Sequence, residues 1–139
     1  MLIRNLIHDE YEEYIKLLNT NITRDYFINF INSVLNENHI ILVLENNKHI
    51  IGVGTLFIEK KLTYGGCNMG HIENILIDED YRGNGHGKIL VNKLLEYAKN
   101  ATCYRVDLNC NEELEDFYKK NNFNKKHICM NIYFKDNFQ

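Results

Sequence analysis

The stretch Ile75-Leu76-Ile77-Asp78-Glu79-Asp80-Tyr81-Arg82-Gly83-Asn84-Gly85-His86-Gly87-Lys88 decides how this chain folds and what it can bind. Its apolar start predicts a buried strand, and a charged turn follows. Three alternating glycines then lead into residues 89–98, whose apolar positions recur at helical spacing. Glycine lets the backbone approach a ligand closely, and the free N–H groups of a helix start attract anions. The stretch therefore predicts a phosphate or pyrophosphate site at a helix N-terminus.

Three phosphate-binding motifs compete for this loop. A Walker A loop would need glycine at position 82 and serine or threonine at position 89, where the chain has Arg82 and Ile89. A dinucleotide fingerprint that starts at the first of these glycines would need another at position 88, which is Lys88. The third pattern, Arg/Gln-x-x-Gly-x-Gly/Ala, is filled by Arg82, Gly85 and Gly87. A glycine-rich turn that only starts a helix is the alternative without a ligand.

Composition sets the broad class of the protein. A length of 139 residues fits a single domain, 1–139, and 45% hydrophobic with 25% charged residues is ordinary for a globular protein. A net charge of −3 argues against nucleic-acid binding. No apolar run approaches the roughly 20 residues that span a bilayer, and the N-terminus lacks a signal-peptide core. The four cysteines show neither CxxC nor metal spacing, so we expect no metal and a cytoplasmic location.

Hydrophobic periodicity predicts ten elements in the order β-α-α-β-β-β-α-β-α-β. Hairpins come early and a βαβ unit comes late, which indicates an α+β fold with a mixed, mostly antiparallel central sheet flanked by helices. The predicted elements are a strand at 2–4, helices capped by Asp9 and Thr23, strands at 40–45, 49–59 and 70–77, a helix at 85–99, a strand at 104–108, a helix at 112–121 and a strand at 128–134.

The Arg82-x-x-Gly85-x-Gly87 loop resembles the acetyl-CoA pyrophosphate loop of the GNAT acetyltransferase superfamily, and the element order resembles the GNAT fold. Further segments resemble one family in it, the glucosamine-6-phosphate N-acetyltransferases, in that family's order and nearly its spacing. These segments are Asn21-Ile22-Thr23, Ile58-Glu59-Lys60-Lys61 (IERK), Gly70-His71-Ile72-Glu73-Asn74-Ile75 (GHIED), Cys103-Tyr104-Arg105-Val106 (CYKI), Leu108-Asn109-Cys110 (LDC), and Phe117-Tyr118-Lys119-Lys120 with Phe123 (FYxKxGF).

The chain departs from the family pattern at four positions. Asn74 stands where the family has Asp, and Asn109 stands where it has Asp or Glu. Asn122 replaces Gly, and Tyr133 replaces an Arg that reaches the substrate phosphate of the neighbouring subunit. These departures bear on the acceptor rather than on acetyl transfer.

The resemblance implies N-acetylation of D-glucosamine 6-phosphate by acetyl-CoA, by direct transfer in a ternary complex and without a metal. This reaction would feed UDP-N-acetylglucosamine synthesis. The resemblance also implies a homodimer, with the apolar residues of the last strand at its interface. Two alternatives stay open: a GNAT enzyme for another amine, such as a polyamine, aminoglycoside or protein N-terminus, and a CoA-binding protein that has lost catalysis. Lys60, Lys61 and Arg105 favour an anionic acceptor.

The resemblance also assigns roles to single residues. Tyr118 is the candidate general acid, because a tyrosine with a pKa of ~10 keeps its proton at neutral pH. Glu73 is the candidate group that orients or deprotonates the amine, and the N–H near Ile75 would hold the thioester oxygen. The plainer interpretations are a core aromatic for Tyr118 and a surface carboxylate for Glu73.

The remaining candidates are binding residues. For acetyl-CoA they are Ile75, Leu76, Ile77, Arg82, Gly83, Asn84, Gly85, His86, Gly87, Lys88, Asn111, Tyr118 and Lys120. For the amino-sugar phosphate they are Thr23, Lys61, Glu73, Asn74, Arg105 and Asn109.

Overall fold

The fold is that of a computed structural model, which describes residues 1–135. It divides into two compact units, Met1–Leu108 and a second unit that begins at Asn109. The elements are β1 (Leu2–Asn5), α1 (Tyr11–Leu18), α2 (Arg24–Ser33), β2 (His39–Asn46), β3 (His49–Glu59), β4 (Asn68–Ile77), α3 (His86–Asn100), β5 (Cys103–Leu108) and, in the second unit, α4 (Glu115–Lys120). Within residues 1–135, no helix combines the length and hydrophobicity needed to cross a bilayer.

The first unit is built on one sheet with strand order β1-β2-β3-β4-β5. The first three neighbouring pairs are antiparallel, and β4 and β5 run parallel. A parallel pair needs a crossover, which α3 supplies between β4 and β5. The predicted α+β class and mixed, mostly antiparallel sheet are therefore confirmed.

Helix α3 packs closely on one face of the sheet. Its buried side chains include Leu90 and Leu94. Glycines in the sheet permit the approach: a Cβ at Gly52 would lie 3.1 Å from Leu90 Cδ1, and a Cβ at Gly54 would lie 3.0 Å from Leu94 Cδ1. This packing fixes the start of α3 just beyond the end of β4, where the glycine loop lies.

Helices α1 and α2 cover part of the opposite face. Phe27 of α2 is buried, and its ring lies 5.6 Å from the rings of both Tyr11 and Tyr14 of α1. These rings pack with Ile41 and Val43 of β2 in the core cluster. The predicted cap of α2 is confirmed, since Thr23 Oγ1 accepts a hydrogen bond from the N–H of Tyr26 at 3.1 Å.

The predicted cap of α1 at Asp9 is wrong. Residues His8–Glu10 form a 3₁₀ turn, and α1 begins only at Tyr11. Buried Glu10 decides this geometry, because its carboxylate accepts the N–H of Ile7 at 2.9 Å and pairs with Arg4 at 2.7 Å.

The predicted strand at 128–134 is also wrong: within the described residues this segment has no strand and no pairing partner. Its alternating apolar pattern is that of a strand, but a strand also needs a hydrogen-bonded neighbour. Ile128, Met130 and Ile132 are instead 89%, 90% and 82% exposed. The segment thus presents an apolar row without a partner in its own described chain.

Candidate active site

The glycine loop has an open backbone suited to an anion. The Asp78 carboxylate accepts the N–H of Asp80 at 2.9 Å and starts the turn. Gly83 and Gly85 then have φ of 81° and 82°, a region that other L residues rarely adopt. A Cβ at either position would meet nothing within 4 Å, so the space beside this backbone is free. Helix α3 begins at His86 with Gly85 as its N-cap, which leaves its first amides without helical partners.

Polar side chains hold this loop against the end of β4. Arg82 Nε donates to the carbonyl of Ile77 at 2.9 Å, and Asn84 Nδ2 donates to the carbonyl of Arg82 at 3.2 Å. Among the described residues, His86 Nδ1 is buried and has no hydrogen-bond partner. Such an atom is uncommon in folded proteins. Gly87 and exposed Lys88 follow in the first turn of α3. The loop thus brings the candidate acetyl-CoA ligands at 82–88 together beside β4.

Strand β4 carries a bulge at the predicted reaction centre. Glu73 pairs with Thr55 and Leu76 pairs with Val53, so residues 74 and 75 both face the single residue between those partners on β3. Asn74 adopts φ of 54°, a left-handed conformation that asparagine tolerates better than most residues. Bulges re-aim the backbone and often lie next to active sites. Asn74, predicted as a substrate ligand, therefore has a backbone role that sequence reasoning missed.

Strands β4 and β5 separate in the same region. Their pairing ends at Ile72 with Leu108, so Glu73–Ile77 has no partner on β5. This edge of β4 can hydrogen-bond an added extended chain that carries amides. The pantetheine arm of CoA is such a chain. An open strand edge that leads to a glycine loop thus fits a long ligand with a pyrophosphate in it.

Two acceptor candidates of the first unit, Glu73 on β4 and Arg105 on β5, lie on the sheet face not covered by α3. Glu73 and Arg105 are exposed, and Arg105 Cζ lies 5.8 Å from the ring centroid of Tyr64. Lys61 pairs with Glu59 at 3.4 Å. Arg105 faces Met69, four residues before Glu73 on β4, which is roughly 13 Å along the strand. Thr23 is the N-cap of α2.

Sequence reasoning missed a charged cluster on this same face. His71 lies between two carboxylates, with Nδ1 2.5 Å from Asp107 Oδ1 and Nε2 3.0 Å from Glu59 Oε1. Burial lowers the pKa of His71, but the hydrogen bonds to these carboxylates outweigh burial and raise the pKa above its usual value. Strand alternation puts His71 on the same face as Glu73, but its carboxylate partners lie on other strands, where no local sequence pattern indicates them.

In the second unit, Tyr118 of α4 is only 8% exposed. Its ring lies 4.9 Å from that of Phe117 and 5.8 Å from that of Phe123. Burial, with a smaller contribution from Cys110, raises the pKa of Tyr118. The hydroxyl therefore keeps its proton well above neutral pH, as a general acid requires. The other candidates in this unit, Asn109, Asn111 and Lys120, are exposed.

Comparisons with known proteins find similar sequences and a similar fold. The sequence model of the acetyltransferase (GNAT) family matches residues 3–123. A probable glucosamine 6-phosphate N-acetyltransferase 2 of Oryza sativa is 41% identical over 106 residues, covering 73% of this chain and 64% of the relative. Glucosamine 6-phosphate N-acetyltransferase 1 of Dictyostelium discoideum is 32% identical over 122 residues, covering 85% and 78%. The chain spans just under two thirds of the two rice relatives, 64% and 63%.

The fold matches solved structures as well. The crystal structure of glucosamine-6-phosphate N-acetyltransferase from Arabidopsis thaliana superposes with a TM-score of 0.91 at 30% identity. The match covers 96% of this chain and 98% of that one.

Proposed function

Because the chain belongs to the GNAT acetyltransferase family, we propose that it transfers the acetyl group of acetyl-CoA to the amine of D-glucosamine 6-phosphate. The product is N-acetyl-D-glucosamine 6-phosphate, a precursor for UDP-N-acetylglucosamine synthesis. The observation that carries the proposal is the open edge of β4 beyond Ile72, which leads directly to the glycine loop. The identity of the acceptor is inferred from the names of the relatives.

The donor is held by backbone more than by side chains. The amides at Gly83–Lys88 take the pyrophosphate, with the exposed guanidinium of Arg82 beside them. Residues 75–77 of β4 hydrogen-bond the pantetheine arm as an added strand. Asn111 and Lys120 make further donor contacts. Acetyl-CoA supplies a thioester carbonyl that an amine can attack.

Three groups act on the reacting atoms. Glu73 orients the acceptor amine and takes its proton, directly or through water. The backbone N–H of Ile75, which follows the bulge at Asn74, stabilises the negative oxygen that develops on the thioester carbonyl. Tyr118 gives its proton to the departing thiolate, since burial keeps it protonated. Transfer is direct, within a ternary complex, and uses no metal.

The acceptor's phosphate needs cations, and we propose Arg105 as the first of them. A guanidinium binds phosphate through two parallel hydrogen bonds. Lys61, Thr23 and Asn109 complete the acceptor contacts. Glu59 already pairs with Lys61 and so weakens it as a phosphate ligand.

Charge reversal at Arg105 tests the phosphate contact. Arg105→Glu should raise KM for glucosamine 6-phosphate at least about tenfold, because it replaces a charge-assisted hydrogen bond by repulsion. KM values for acetyl-CoA and for unphosphorylated glucosamine, measured on the same variant, serve as controls and should stay within about twofold. Equal increases for all three substrates would rule out the phosphate contact.

We further propose that residues 1–139 form one domain and that two copies form a homodimer. The family match runs from residue 3 in the first unit to residue 123 in the second. The exposed apolar row at 128–134 is the surface that a second copy would cover, because nothing among residues 1–135 of its own copy pairs with it. The four cysteines of the chain form no disulfide, which suits a reducing, cytoplasmic setting.

Size-exclusion chromatography with light scattering tests whether the protein is a dimer. The wild type should elute at twice the chain mass, and Ile128→Ser with Ile132→Ser should shift it toward the monomer. Wild-type protein that remains monomeric at working concentration with full activity would overturn the dimer.

A thiol-release assay separates transfer from binding alone. CoA release from acetyl-CoA should stay at background without an acceptor and rise when glucosamine 6-phosphate is added. A protein that only binds CoA would retain calorimetric CoA binding and release no thiol with any amine.

A further inference from the structure

His71 lies at the point where β4 and β5 separate. It faces Asp107 on β5, and only one more pair, Ile72 with Leu108, follows before the pairing ends. Its Nδ1 lies 2.5 Å from Asp107 Oδ1. On the other side, its Nε2 lies 3.0 Å from Oε1 of Glu59 at the end of β3. One side chain on β4 thus links both neighbouring strands at the start of the opening.

The His71 ring is fixed in orientation. It faces Phe57 on β3 and stacks on that ring, with centroids 6.1 Å apart and planes 22° apart. Both carboxylates accept, so both ring nitrogens must donate, which only the protonated imidazole can do. His71 is 31% exposed, so these bonds are partly shielded from water.

We propose that His71 is a positioning residue for acetyl transfer, which ties β3 and β5 to β4 and thereby sets the opening that receives acetyl-CoA. The contacts of His71 with Glu59 and Asp107 are called the bridge below. Glu73 lies two residues further along the same face of β4, so the bridge also fixes the direction of the Glu73 side chain. This inference rests on the proposed function. It adds a residue that touches neither acetyl-CoA nor the acceptor.

The bridge depends on pH through a small set of charges. His71 contacts Glu59 at the end of β3 and Asp107 on β5, and Glu59 also pairs with Lys61. Two further charged groups, Glu73 on β4 and Arg105 on β5, lie on the same face of the sheet. The pKa of His71 is raised in the folded protein. Its stabilising contribution is therefore complete below its unfolded pKa of about 6.5, and is lost as pH rises through the folded value.

Deprotonation would leave one ring nitrogen facing a carboxylate without a proton, so the opening would loosen. Turnover is a poor measure of this effect. The acceptor amine reacts only in its neutral form, so the rate of turnover rises with pH for a reason unrelated to His71. The dissociation constant of CoA, measured by calorimetry from pH 6 to pH 9.5, avoids that problem. Comparison among variants cancels the titration of CoA itself.

Three variants make the test specific. In wild type, CoA affinity should fall about fivefold as pH rises past the His71 pKa, and this fall is the step to be compared among variants. In His71→Gln the affinity should be weak at every pH and show no such step. Asp107→Asn keeps an acceptor oxygen but removes the charge, so the step should remain and move to lower pH. His39→Gln is the matched control: the His39 ring packs edge-on against Phe57, with centroids 5.6 Å apart, but binds no carboxylate in the described chain, so the wild-type step should persist.

Urea unfolding of the ligand-free proteins gives a second measurement. The wild type should lose stability across the same pH window, and His71→Gln should not. CoA binding with the same pH profile in wild type, His71→Gln and Asp107→Asn would overturn the positioning role alone. Failure of the wild type to bind CoA at every pH would overturn the proposed function and this inference with it. Should His71→Gln not fold, the shifted or unshifted step in Asp107→Asn decides.

Discussion

Replacing Tyr118 by phenylalanine should lower kcat by about 10²-fold or more, because the variant loses the proton that general acid catalysis needs. The hydroxyl is the only group removed, and the ring keeps its contacts with Phe117 and Phe123. The fold should therefore persist. KM for acetyl-CoA should change little, since the proton moves only as the thiolate leaves. Steady-state thiol release with glucosamine 6-phosphate measures both constants.

Tyr14→Phe is the matched control for this prediction. Burial also raises the pKa of Tyr14, and its ring likewise packs on a phenylalanine, Phe27. Tyr14 lies on α1 and has no proposed role in transfer, so kcat should stay within about twofold of wild type. A Tyr118→Phe enzyme as active as Tyr14→Phe would show that Tyr118 is only a core aromatic.

Valine at Gly85 should weaken CoA binding about 100-fold. The site uses backbone amides beside a space that is free only because Gly85 has no Cβ. A β-branched residue fills that space and resists φ of 82°. Loss of two charge-assisted hydrogen bonds to the pyrophosphate, each about 1.5 kcal/mol, corresponds to this factor. Calorimetric titration with CoA measures the change.

Gly65→Val controls for backbone strain. Gly65 also has a positive φ, 66°, and open space around its missing Cβ. It lies in the turn before β4, at the opposite end of that strand from the glycine loop. Both variants should lose about 1–2 kcal/mol of unfolding free energy, but only Gly85→Val should lose CoA affinity. Similar CoA affinities in the two variants would refute an anion site on the loop.

Local patterns predicted the elements that local chemistry determines. The strand at His49–Glu59 was predicted at both ends, and α3 begins one residue after its predicted start, because the glycines mark it. The final strand was wrong because pairing depends on a partner that no local pattern specifies. The sequence showed an alternating row at 128–134, and nothing among residues 1–135 pairs with it.

The site was predictable where it depends on sequence order and not where it depends on distant strands. The glycine loop is one continuous segment, so its motif could be compared directly with others. The contacts of His71 join three strands across sequence separations of 12 and 36 residues. At two of the positions where the chain departs from the family pattern, the backbone explains the asparagine, since Asn74 and Asn122 both adopt positive φ. At position 122 it replaces the family's glycine, the residue most tolerant of that conformation.

The central claim is that this chain acetylates a phosphorylated amino sugar. A competition experiment tests it most directly: limiting acetyl-CoA is offered glucosamine 6-phosphate, glucosamine and a polyamine at equal concentration, and the products are quantified by mass spectrometry. N-acetylglucosamine 6-phosphate should account for nearly all of the acetyl transferred. A majority of acetylated polyamine or of unphosphorylated N-acetylglucosamine would contradict the claim.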